Sequence, residues 1–281
     1  MNPRRKISVA AAAVLLAALI IWIAWGNTAL TVTEQTVQSD RLPQAFSGFK
    51  LAQVSDLHNA EMGNGNERLL AALRQAEPDV IVITGDFIDS RHTNTEVALQ
   101  FAEKATEIAP TYYITGNHEA RMDIYPDFAE QLAAPGVVLL QNESVQLQRG
   151  GDTITLIGID DPGFVTAHAA ERAAATEAAL APLMNDCDGF TVLLAHRPEL
   201  IDIYAKYGAD LVLSGHTHGG QVRLPFIGGI FAPDQGLFPA YDGGRCTADS
   251  TQMLVSRGIG NSLFPFRINN RPELVVAELT D

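Results

Sequence analysis

Five short apolar segments, each followed at once by acidic, amide or histidine side chains, restrict the fold of this chain more than any other feature. Each segment has the length and unbroken hydrophobicity of a strand that is buried on both faces of a sheet. Amphipathic helical patterns at residues 66–76 and 95–108 separate the early segments, an alternation typical of parallel βαβ units. The five predicted strands are residues 50–55, 80–84, 112–115, 191–195 and 211–214.

Later segments predict a second sheet. Residues 153–159, 252–256 and 274–279 have strand character without a long helix between them. We therefore expect a second mixed sheet packed on the first, because a sheet must bury its apolar face against another layer. The predicted fold class is α/β, with two packed mixed β-sheets flanked by helices in a four-layer α-β-β-α sandwich.

Polar motifs stand directly after the five strands, where parallel sheets gather their ligands, so we expect them to meet in one crevice. Their carboxylates, carboxamide and imidazoles suit Mn, Fe or Zn better than Ca. Such a set exceeds one tetrahedral site, but two ions about 3.5 to 4 Å apart could share the carboxylate of Asp86. The candidate metal ligands are Asp56, His58, Asp86, Asn117, His196, His216 and His218.

Each motif is a weak signal by itself, since acids and histidines are common at strand ends and turns for ordinary hydrogen-bonding reasons. The ordered set includes five of the seven histidines, which favours a metal site over coincidence. His92 and His168 lie outside the set and are predicted to be surface residues. The acids at positions 160–161 and at positions 186 and 188 are predicted to form a solvated face rather than another cation site.

The order of the motifs resembles the calcineurin-like metallophosphoesterase superfamily over residues 51–279. Residues 215–221, 256–258 and 271–274 are similar to its membrane-anchored bacterial branch, some members of which cleave UDP-diacylglucosamine. The motifs that carry the resemblance are Asp56-Leu57-His58, Gly85-Asp86, Gly116-Asn117-His118-Glu119, the lone His196 and Gly215-His216-Thr217-His218.

The resemblance implies a division of the ligands between two divalent ions, Mn, Zn or Fe, that share Asp86. A hydroxide bridging the ions would attack phosphorus in a phosphodiester or pyrophosphate bond. His118 would protonate the leaving oxygen or stabilise its charge, and Asp89 would fix the tautomer of His118. One ion would be held by Asp56, His58 and His218, and the other by Asn117, His196 and His216.

Two other functions remain compatible with the same residues. A phosphomonoesterase or protein phosphatase would use the same site with a different pocket, and a non-catalytic scaffold would use the metals for stability alone. Glu119 and Gln221 are candidates to support the ligands. Four arginines are candidate phosphate contacts by charge, with ordinary structural ion pairs as the equal alternative. They are Arg91, Arg257, Arg267 and Arg271.

Residues 7–25 form an apolar run interrupted only by Ser8. At 1.5 Å per residue the run covers about 28 Å, close to the hydrocarbon thickness of a bilayer. Arg4, Arg5 and Lys6 precede the run and no base follows it directly, so the positive-inside rule puts the amino terminus in the cytoplasm. We therefore expect a single-pass protein of the cell membrane with an extracytoplasmic catalytic domain.

The expected organisation is a basic tail at residues 1–6, an anchor at 7–25, a polar membrane-proximal lead-in at 26–47 and a catalytic domain at 48–281. A cleaved signal peptide is the alternative to the anchor, because small residues follow the apolar run in an acceptable cleavage pattern. The arginine pair near the start also resembles a twin-arginine export signal, a pattern common by chance.

The charge of the chain restricts the kinds of molecule that it can bind. A formal net charge of −14 repels nucleic acid, so an anionic substrate must be attracted locally, for example by bound cations. The expected partners are the membrane and a small phosphoester, for which a lipid-linked nucleotide is one candidate. Apolar residues 224–231 and 263–266 are either core or a lip that touches acyl chains. Cys187 and Cys246 are either thiols or a disulfide pair.

Overall fold

The computed structural model of the protein describes residues 3–185, 187–261 and 264–281. Asp186 and Leu263, which belong to segments discussed above, lie outside the described residues, as do Met1, Asn2 and Ser262. The helices are α1 Pro3–Thr28, α2 Glu67–Ala76, α3 Glu96–Thr106, α4 Tyr125–Ala133, α5 Ala169–Asn185 and α6 Ile201–Lys206. The strands are β1 Thr31–Gln38, β2 Lys50–Val54, β3 Val80–Thr84, β4 Thr111–Ile114, β5 Val138–Leu139, β6 Glu143–Arg149, β7 Asp152–Gly158, β8 Thr191–Leu194, β9 Leu211–Ser214, β10 Arg223–Leu224, β11 Gly228–Gly229, β12 Phe231–Ala232, β13 Gly236–Leu237, β14 Gly244–Ala248, β15 Thr251–Val255 and β16 Glu273–Thr280.

Two mixed sheets of six strands each form the folded body. The order in the first sheet is β1-β16-β2-β3-β4-β5, in which β2 to β5 are parallel and β16 is antiparallel to β2. The order in the second sheet is β14-β15-β9-β8-β7-β6, in which the four central strands are parallel and both edge strands are antiparallel to their neighbours. Each sheet therefore has a parallel centre whose carboxyl edge can carry ligands.

Three apolar clusters fix the order of the layers. Side chains from the facing sides of the two sheets, including Leu51, Leu156 and Leu213, form the central cluster. On the outer side of the first sheet, Ile83 packs in a cluster with α2, α3 and α4. On the outer side of the second sheet, Leu193 packs in a cluster with α5 and α6. This α-β-β-α order confirms the predicted fold class.

The segment expected to be a lead-in contributes to the first sheet. β1 pairs in parallel with β16, in a register that joins Thr31 to Glu273, and Phe46 is fully buried in the central cluster. β1 is an edge strand whose positions are mostly half buried or exposed. Its sequence is therefore polar, and polarity alone does not distinguish an edge strand from a loop. The folded body thus includes residues that precede Gly48.

A long helix also lies where the sequence indicated none. α5 has 17 residues and connects β7 to β8. Its Ala-rich sequence buries Thr176 and Leu180 and little else, so the 3.6-residue apolar pattern that identifies a helix is weak. The connection from β7 to parallel β8 thus follows the usual βαβ rule, because parallel strands need a crossover.

The amino-terminal helix α1 stands apart from the body for most of its length and is joined to it at its end. Residues Ala10–Thr28 are long and apolar enough to cross a membrane, and none of this span is buried. Asn27 Nδ2 donates to the carbonyl of Arg267 at 2.9 Å, and Arg267 N donates to Asn27 Oδ1 at 2.6 Å. Arg68 Nη1 donates to the carbonyl of Thr28 at 2.9 Å. These bonds fix the end of the helix to the body.

Candidate metal centre

The candidate ligands come from both sheets. Those in the first half of the chain follow β2, β3 and β4 of the first sheet, and the later histidines follow β8 and β9 of the second. The crevice therefore lies where the carboxyl edges of two packed sheets meet, rather than at the edge of one sheet. All of the candidates are buried: Asp56, His58, Asp86, Asn117, His196, His216 and His218.

One group of donor atoms is formed by Asp56, His58, Asp86 and His218, which offer one ligand atom each within 4.8 Å of one another. Nε2 of His58 lies 3.1 Å from Nε2 of His218 and 3.5 Å from Oδ2 of Asp86. Nε2 of His218 lies 3.3 Å from Oδ1 of Asp56. The four side chains thus surround one point.

A second group joins Asp86 to His196 and His216, again with all donor atoms within 4.8 Å. Nε2 of His196 lies 3.3 Å from the same Asp86 oxygen, Oδ2, that faces His58. Asn117 lines the same cleft, and its Oδ1 is buried without a hydrogen-bond partner among the described residues. The carboxylate of Asp86 is therefore common to both groups.

The protonation states of the candidate ligands differ. Burial lowers the pKa of His58 to about 3 and also lowers the pKa of His218, so both imidazoles are neutral, the form that binds metals. Burial acts against ionisation of Asp86, but the imidazoles of His196, His118 and His58 together lower its pKa well below the usual value. Burial also opposes the charged form of His196, but Asp86 raises the pKa of this imidazole to about 10, so His196 would release its proton when a metal binds. The chemistry of the donor set, imidazoles and carboxylates with a buried amide oxygen, fits divalent ions of the Mn, Fe and Zn type.

The backbone at the ligands has a conformation that L-residues seldom adopt. The candidate ligands in the loops after β2, β3 and β9 have left-handed φ values of 46° to 70°. The ligands after β4 and β8 do not. Residues with left-handed φ values cost of the order of 1–3 kcal/mol each and concentrate at functional sites. The residues are Asp56, His58, Asp86, His216 and His218.

Two motif glycines allow the loops to approach closely. A Cβ on Gly116 would overlap the backbone nitrogen and carboxylate of Asp86, and a Cβ on Gly215 would overlap Ser55 Oγ and Asp56 Oδ2. The glycines of the G-N-H-E and G-H-T-H motifs are thus required by contacts between loops that follow different strands. Ser55 in turn donates to Asp56 Oδ2 at 2.6 Å and holds this carboxylate in place.

Glu119 organises the loops around Asp86. Its carboxylate accepts hydrogen bonds from the backbone nitrogens of Asp86 at 3.0 Å, Phe87 at 2.8 Å, Ile88 at 3.1 Å and Gly116 at 2.8 Å. Burial and the charge of Asp86 raise the pKa of Glu119 to about 7. Glu119 therefore connects the loop after β3 to the loop after β4, which supports the expectation that it positions the ligands. Gln221 is buried, but its side-chain amide makes no hydrogen bond.

His118 has a hydrogen-bond partner that the sequence did not indicate. Its backbone nitrogen donates to Asp86 Oδ1 at 2.8 Å, and its Nδ1 accepts from the backbone nitrogen of Ser90 at 3.0 Å. Asp89 Oδ1 lies 3.4 Å from Nδ1, and both Asp89 oxygens bind Arg91, at 2.9 and 2.6 Å. Ser90, rather than Asp89, thus makes the hydrogen bond that fixes the ring, and it leaves the proton on Nε2. Burial lowers the pKa of His118.

The metal cleft, the open space above these ligands, has a volume of about 200 Å³. Arg91, one of the four predicted phosphate contacts, lines the cleft. Arg121 and Arg172, which were not predicted from the sequence, line it as well. Asp234 closes one side, with Oδ2 at 3.2 Å from His216 Nε2 and Oδ1 at 2.7 Å from Arg172. The cleft therefore contains cations, but Arg172 and Arg91 are each bound to a carboxylate.

A buried ion-pair network supports this side of the cleft and corrects the prediction of a solvated acidic face. Arg197 is buried and binds Asp161 at 2.7 Å and Asp234 at 2.5 Å. Asp161 is 2% exposed, so it belongs to the support of the site. Asp188 is exposed as predicted, and so are His92 and His168.

The remaining predicted arginines lie at the end of α1. Arg267 is fully buried, and its Nη2 lies 3.5 Å from Nδ1 of His218. Burial lowers the pKa of Arg267 to about 10. Arg257 and Arg271 line a separate pocket and not the metal cleft. No disulfide joins the two cysteines, Cys187 and Cys246, both of which the structure describes as half buried.

A four-layer sandwich with acidic and histidine ligands clustered at the strand ends defines a metallophosphoesterase. The family model for calcineurin-like phosphoesterases matches residues 49–220. The chain belongs to this family of metal-dependent hydrolases, which confirms the resemblance at the level of the family.

Relatives of this chain include both membrane-associated and phosphodiesterase-named proteins. The uncharacterized metallophosphoesterase YkuE of Bacillus subtilis is 30% identical over 260 residues, 89% of this chain and 85% of the relative. The phosphodiesterase YaeI of Escherichia coli is 28% identical over 237 residues, 82% of each chain. A transmembrane protein with a metallophosphoesterase domain from Bos taurus is 30% identical over 253 residues, which are 86% of this chain and 55% of the relative.

Solved structures resemble the fold. The structure of TT1561 from Thermus thermophilus covers 76% of this chain, and the match spans 91% of that protein, with a TM-score of 0.53 and 12% sequence identity. At this identity the similarity concerns the fold alone, and it agrees with the two-sheet architecture described above.

Proposed function

We propose that this protein is a membrane-anchored hydrolase that uses two divalent ions to cleave a phosphodiester or pyrophosphate bond. The observation that carries the proposal is the shared carboxylate of Asp86, whose Oδ2 faces His58 at 3.5 Å and His196 at 3.3 Å. A carboxylate between two groups of ligands is the arrangement needed to hold two ions a short distance apart. The phosphodiesterase name of the relative YaeI supports a diester substrate.

Two ions at this site would supply the positive charge that attracts a phosphate and would make a bound water a strong nucleophile at neutral pH. The chain's residues would then orient the substrate and handle protons. The proposed ligands of one ion are Asp56, His58, Asp86 and His218, and those of the other are Asp86, Asn117, His196 and His216.

His118 is the proposed catalytic residue beside the ligands. Its Nδ1 accepts a hydrogen bond from the backbone of Ser90, so the ring proton is on Nε2. His118 lines the metal cleft, and burial lowers its pKa, so the ring is neutral near pH 7. A neutral imidazole with a proton on Nε2 can donate a hydrogen bond to the leaving oxygen as negative charge develops there. Asp89 is proposed to act on His118 at longer range through its charge.

The anchor and an exposed apolar surface support a lipid-linked substrate. Phe226 is fully exposed, and Phe264 and Phe266 are 52% and 40% exposed. Phe264 and Phe266 lie just before Arg267 in the sequence. Arg267 hydrogen-bonds Asn27 at the end of α1 and contacts His218 in the site. The end of the anchor, Phe264 and Phe266, and the ligands are thus linked through a short segment. These two side chains, together with Phe226 on the turn between β10 and β11, form the proposed apolar lip. An acyl chain would contact the lip while the phosphate enters the metal cleft.

The proposed topology follows from the charges around the span. Residues 1–6 would lie in the cytoplasm, residues 7–25 would cross the membrane, and residues 48–281, with the lead-in at 26–47, would lie outside the cytoplasm. UDP-diacylglucosamine, a lipid-linked nucleotide with a pyrophosphate bond, is one candidate substrate, suggested by the resemblance of residues 215–221, 256–258 and 271–274 to the membrane-anchored bacterial branch. The substrate would reach the site from the membrane surface.

A comparison of substrates tests the proposal. The full-length protein in detergent is stripped of metal, restored with Mn, Zn or Fe, and assayed on an aryl phosphodiester, an aryl phosphomonoester and a UDP-linked glycolipid. We expect metal-dependent cleavage of the diester and the glycolipid. Metal-dependent activity confined to the monoester would contradict the proposal, and so would no activity with any metal.

A further inference from the structure

A second pocket lies where the end of α1 meets the body. This anchor pocket has a volume of about 270 Å³, and its walls include Trp22 and Trp25 from the helix and Arg257, Arg267 and Arg271 from the body. It is lined by none of the residues that line the metal cleft. The anchor pocket thus concentrates arginines on a chain whose net charge is −14.

Two of the three arginines make no salt bridge among the described residues, although Asp56 and Glu273 attract Arg267 from a longer distance. Arg257 binds the carboxylate of Glu273 at 2.8 Å. Among the described residues, no carboxylate oxygen lies within 4.0 Å, the limit for a salt bridge, of a guanidinium nitrogen of Arg267 or Arg271. Their guanidinium groups donate to neutral oxygens instead: Arg267 to Arg257 O, Asn261 Oδ1 and Gly260 O, and Arg271 to Ala29 O and Leu30 O.

These hydrogen bonds hold the guanidinium groups in place without cancelling their charge. The bonds to Ala29 and Leu30 position Arg271 with Cζ 5.0 Å from the ring centroid of Trp25. Arg267 is fully buried. A buried or half-buried cation without a counterion is costly, and a bound anion would remove that cost. The fixed orientation of both guanidinium groups favours a phosphate, whose oxygens can accept several donors at once.

The position of the anchor pocket along the helix indicates where such an anion would come from. Trp22 and Trp25 belong to the last two turns of the span Ala10–Thr28, and both are about half exposed. Tryptophan near the end of a membrane helix lies at the level of the lipid headgroups. The anchor pocket would therefore face the layer of the bilayer that contains lipid phosphates.

We infer that the anchor pocket binds the phosphate of an anionic lipid headgroup through Arg267 and Arg271. A zwitterionic headgroup carries the same phosphate but adds a cation, which the unpaired arginines repel. An acyl chain in this pocket would leave both charges without a counterion, so it is the weaker occupant. Since Arg267 also contacts His218, a headgroup bound here would hold the body against the membrane with the metal cleft close to the lipid surface. This binding does not depend on the proposed hydrolysis.

The chain contains two tryptophans, Trp22 and Trp25, and both line this pocket, so all of its tryptophan fluorescence comes from the pocket walls. The full-length protein in neutral detergent micelles is titrated with dihexanoyl phosphatidylglycerol, dihexanoyl phosphatidylcholine or inorganic phosphate. We expect a saturable change with phosphatidylglycerol at about tenfold lower mole fraction than with phosphatidylcholine. Equal responses to both lipids, or saturation by inorganic phosphate but not by phosphatidylglycerol, would overturn the inference.

Matched variants locate the response. We expect Arg271→Gln to weaken the phosphatidylglycerol response about tenfold and Arg271→Lys, which keeps the charge, to retain most of it. Arg245→Gln is the control, because Arg245 also donates to neutral oxygens, of Gln252 and Thr36, but lies outside the pocket. An unchanged response in a folded Arg271→Gln protein would contradict the inference.

A measurement on the unaltered protein removes any dependence on how the variants fold. Lipids with brominated acyl chains quench the fluorescence of nearby tryptophans. Brominated phosphatidylglycerol or brominated phosphatidylcholine is added at the same mole fraction to nanodiscs of unlabelled phosphatidylcholine, and the quenching by the two lipids is compared. We expect the phosphatidylglycerol to quench Trp22 and Trp25 at least twofold more strongly than the phosphatidylcholine. Equal quenching by the two lipids would overturn the inference.

Discussion

The metal cleft and the anchor pocket differ in how they would attract an anion. In the metal cleft, Arg91 and Arg172 are bound to Asp89 and Asp234, and buried acids face the open space. In the anchor pocket, Arg271 makes no salt bridge among the described residues. The exposed Arg121 is the arginine of the metal cleft that no salt bridge of the described residues pairs. The metal cleft would therefore depend mainly on added cations to bind a phosphate, whereas the anchor pocket carries its positive charge permanently. Chelators and charge-removing substitutions should separate the two sites.

The largest effect is expected at the carboxylate that both ligand groups share. Asp86→Asn should reduce bound divalent metal from two ions to fewer than one per chain and lower turnover by about 10³-fold or more, because the amide lacks the charge that bridges the ions. Metal analysis by inductively coupled plasma mass spectrometry measures this. Asp210→Asn is the matched control, since Asp210 is a buried aspartate that binds Thr191 and Arg41 outside the cleft. Retention of two ions by Asp86→Asn would contradict the account.

The second effect concerns His118. His118→Ala should keep its metal but lose turnover by about 10²- to 10⁴-fold, because the leaving oxygen loses its donor. The loss should be greater for an alkyl phosphodiester than for a nitrophenyl one, whose leaving group needs less stabilisation. His92→Ala, at an exposed histidine, is the control. Equal losses for the two leaving groups would show that His118 acts by position alone.

Glu119 should act on metal affinity rather than on the chemical step. Glu119→Gln leaves one oxygen to accept the four backbone nitrogens that now bind the carboxylate. We expect metal affinity to fall about 10- to 100-fold, with activity restored by excess metal. Glu96→Gln, at the exposed start of α3, is the control. Loss of turnover that excess metal does not restore would refute this positioning role.

Smaller effects are expected at the apolar lip. Serine at Phe226, Phe264 and Phe266 should lower kcat/KM for a lipid-linked substrate about tenfold, since exposed aromatic area that would contact the acyl chain is lost. Cleavage of a soluble aryl phosphodiester should not change. A variant with unchanged activity on the lipid substrate would exclude contact between the lip and the acyl chain.

The smallest effect is that of salt. Raising sodium chloride from about 0.15 to 0.5 M should weaken phosphatidylglycerol binding at the anchor pocket about threefold, because mobile ions screen its partly exposed charges. Chelation by EDTA should leave the tryptophan response to phosphatidylglycerol unchanged while it abolishes hydrolysis. A tryptophan response that disappears with the metal would mean that the lipid binds in the metal cleft instead.

The success of the predictions from sequence depended on how deeply each element is buried and on how far apart in the chain the contacting residues lie. β3 and β9 have the predicted bounds because strands buried on both faces are unbroken apolar runs, and their ligands follow directly in sequence. β1 was not predicted because its sequence is polar, as is usual for an edge strand. α5 was not predicted because alanines lie on both its buried and its exposed sides, so the sequence shows no apolar stripe. The sequence did not indicate that the backbone nitrogen of Ser90 lies closer to the ring of His118 than Asp89 does, and the role of Asp89 stays a prediction.

Contacts between distant positions outside the strand-end motifs could not be predicted. Arg197 binds Asp161 and Asp234, and the three residues belong to separate loops that only the packed structure brings together. The anchor pocket is a similar case, since it joins Trp25 near the start of the chain to Arg271 near its end. The arginines of this pocket were selected from the sequence by charge alone, and no local pattern shows that they meet the end of α1.

Anomalous diffraction from crystals grown with manganese tests the central claim most directly. The account predicts two anomalous peaks about 3.5 to 4 Å apart, both coordinated by the carboxylate of Asp86, with His58 and His218 at one peak and His196 and His216 at the other. A single peak, or a second peak that Asp86 does not contact, would contradict the shared-carboxylate site on which the proposed function depends.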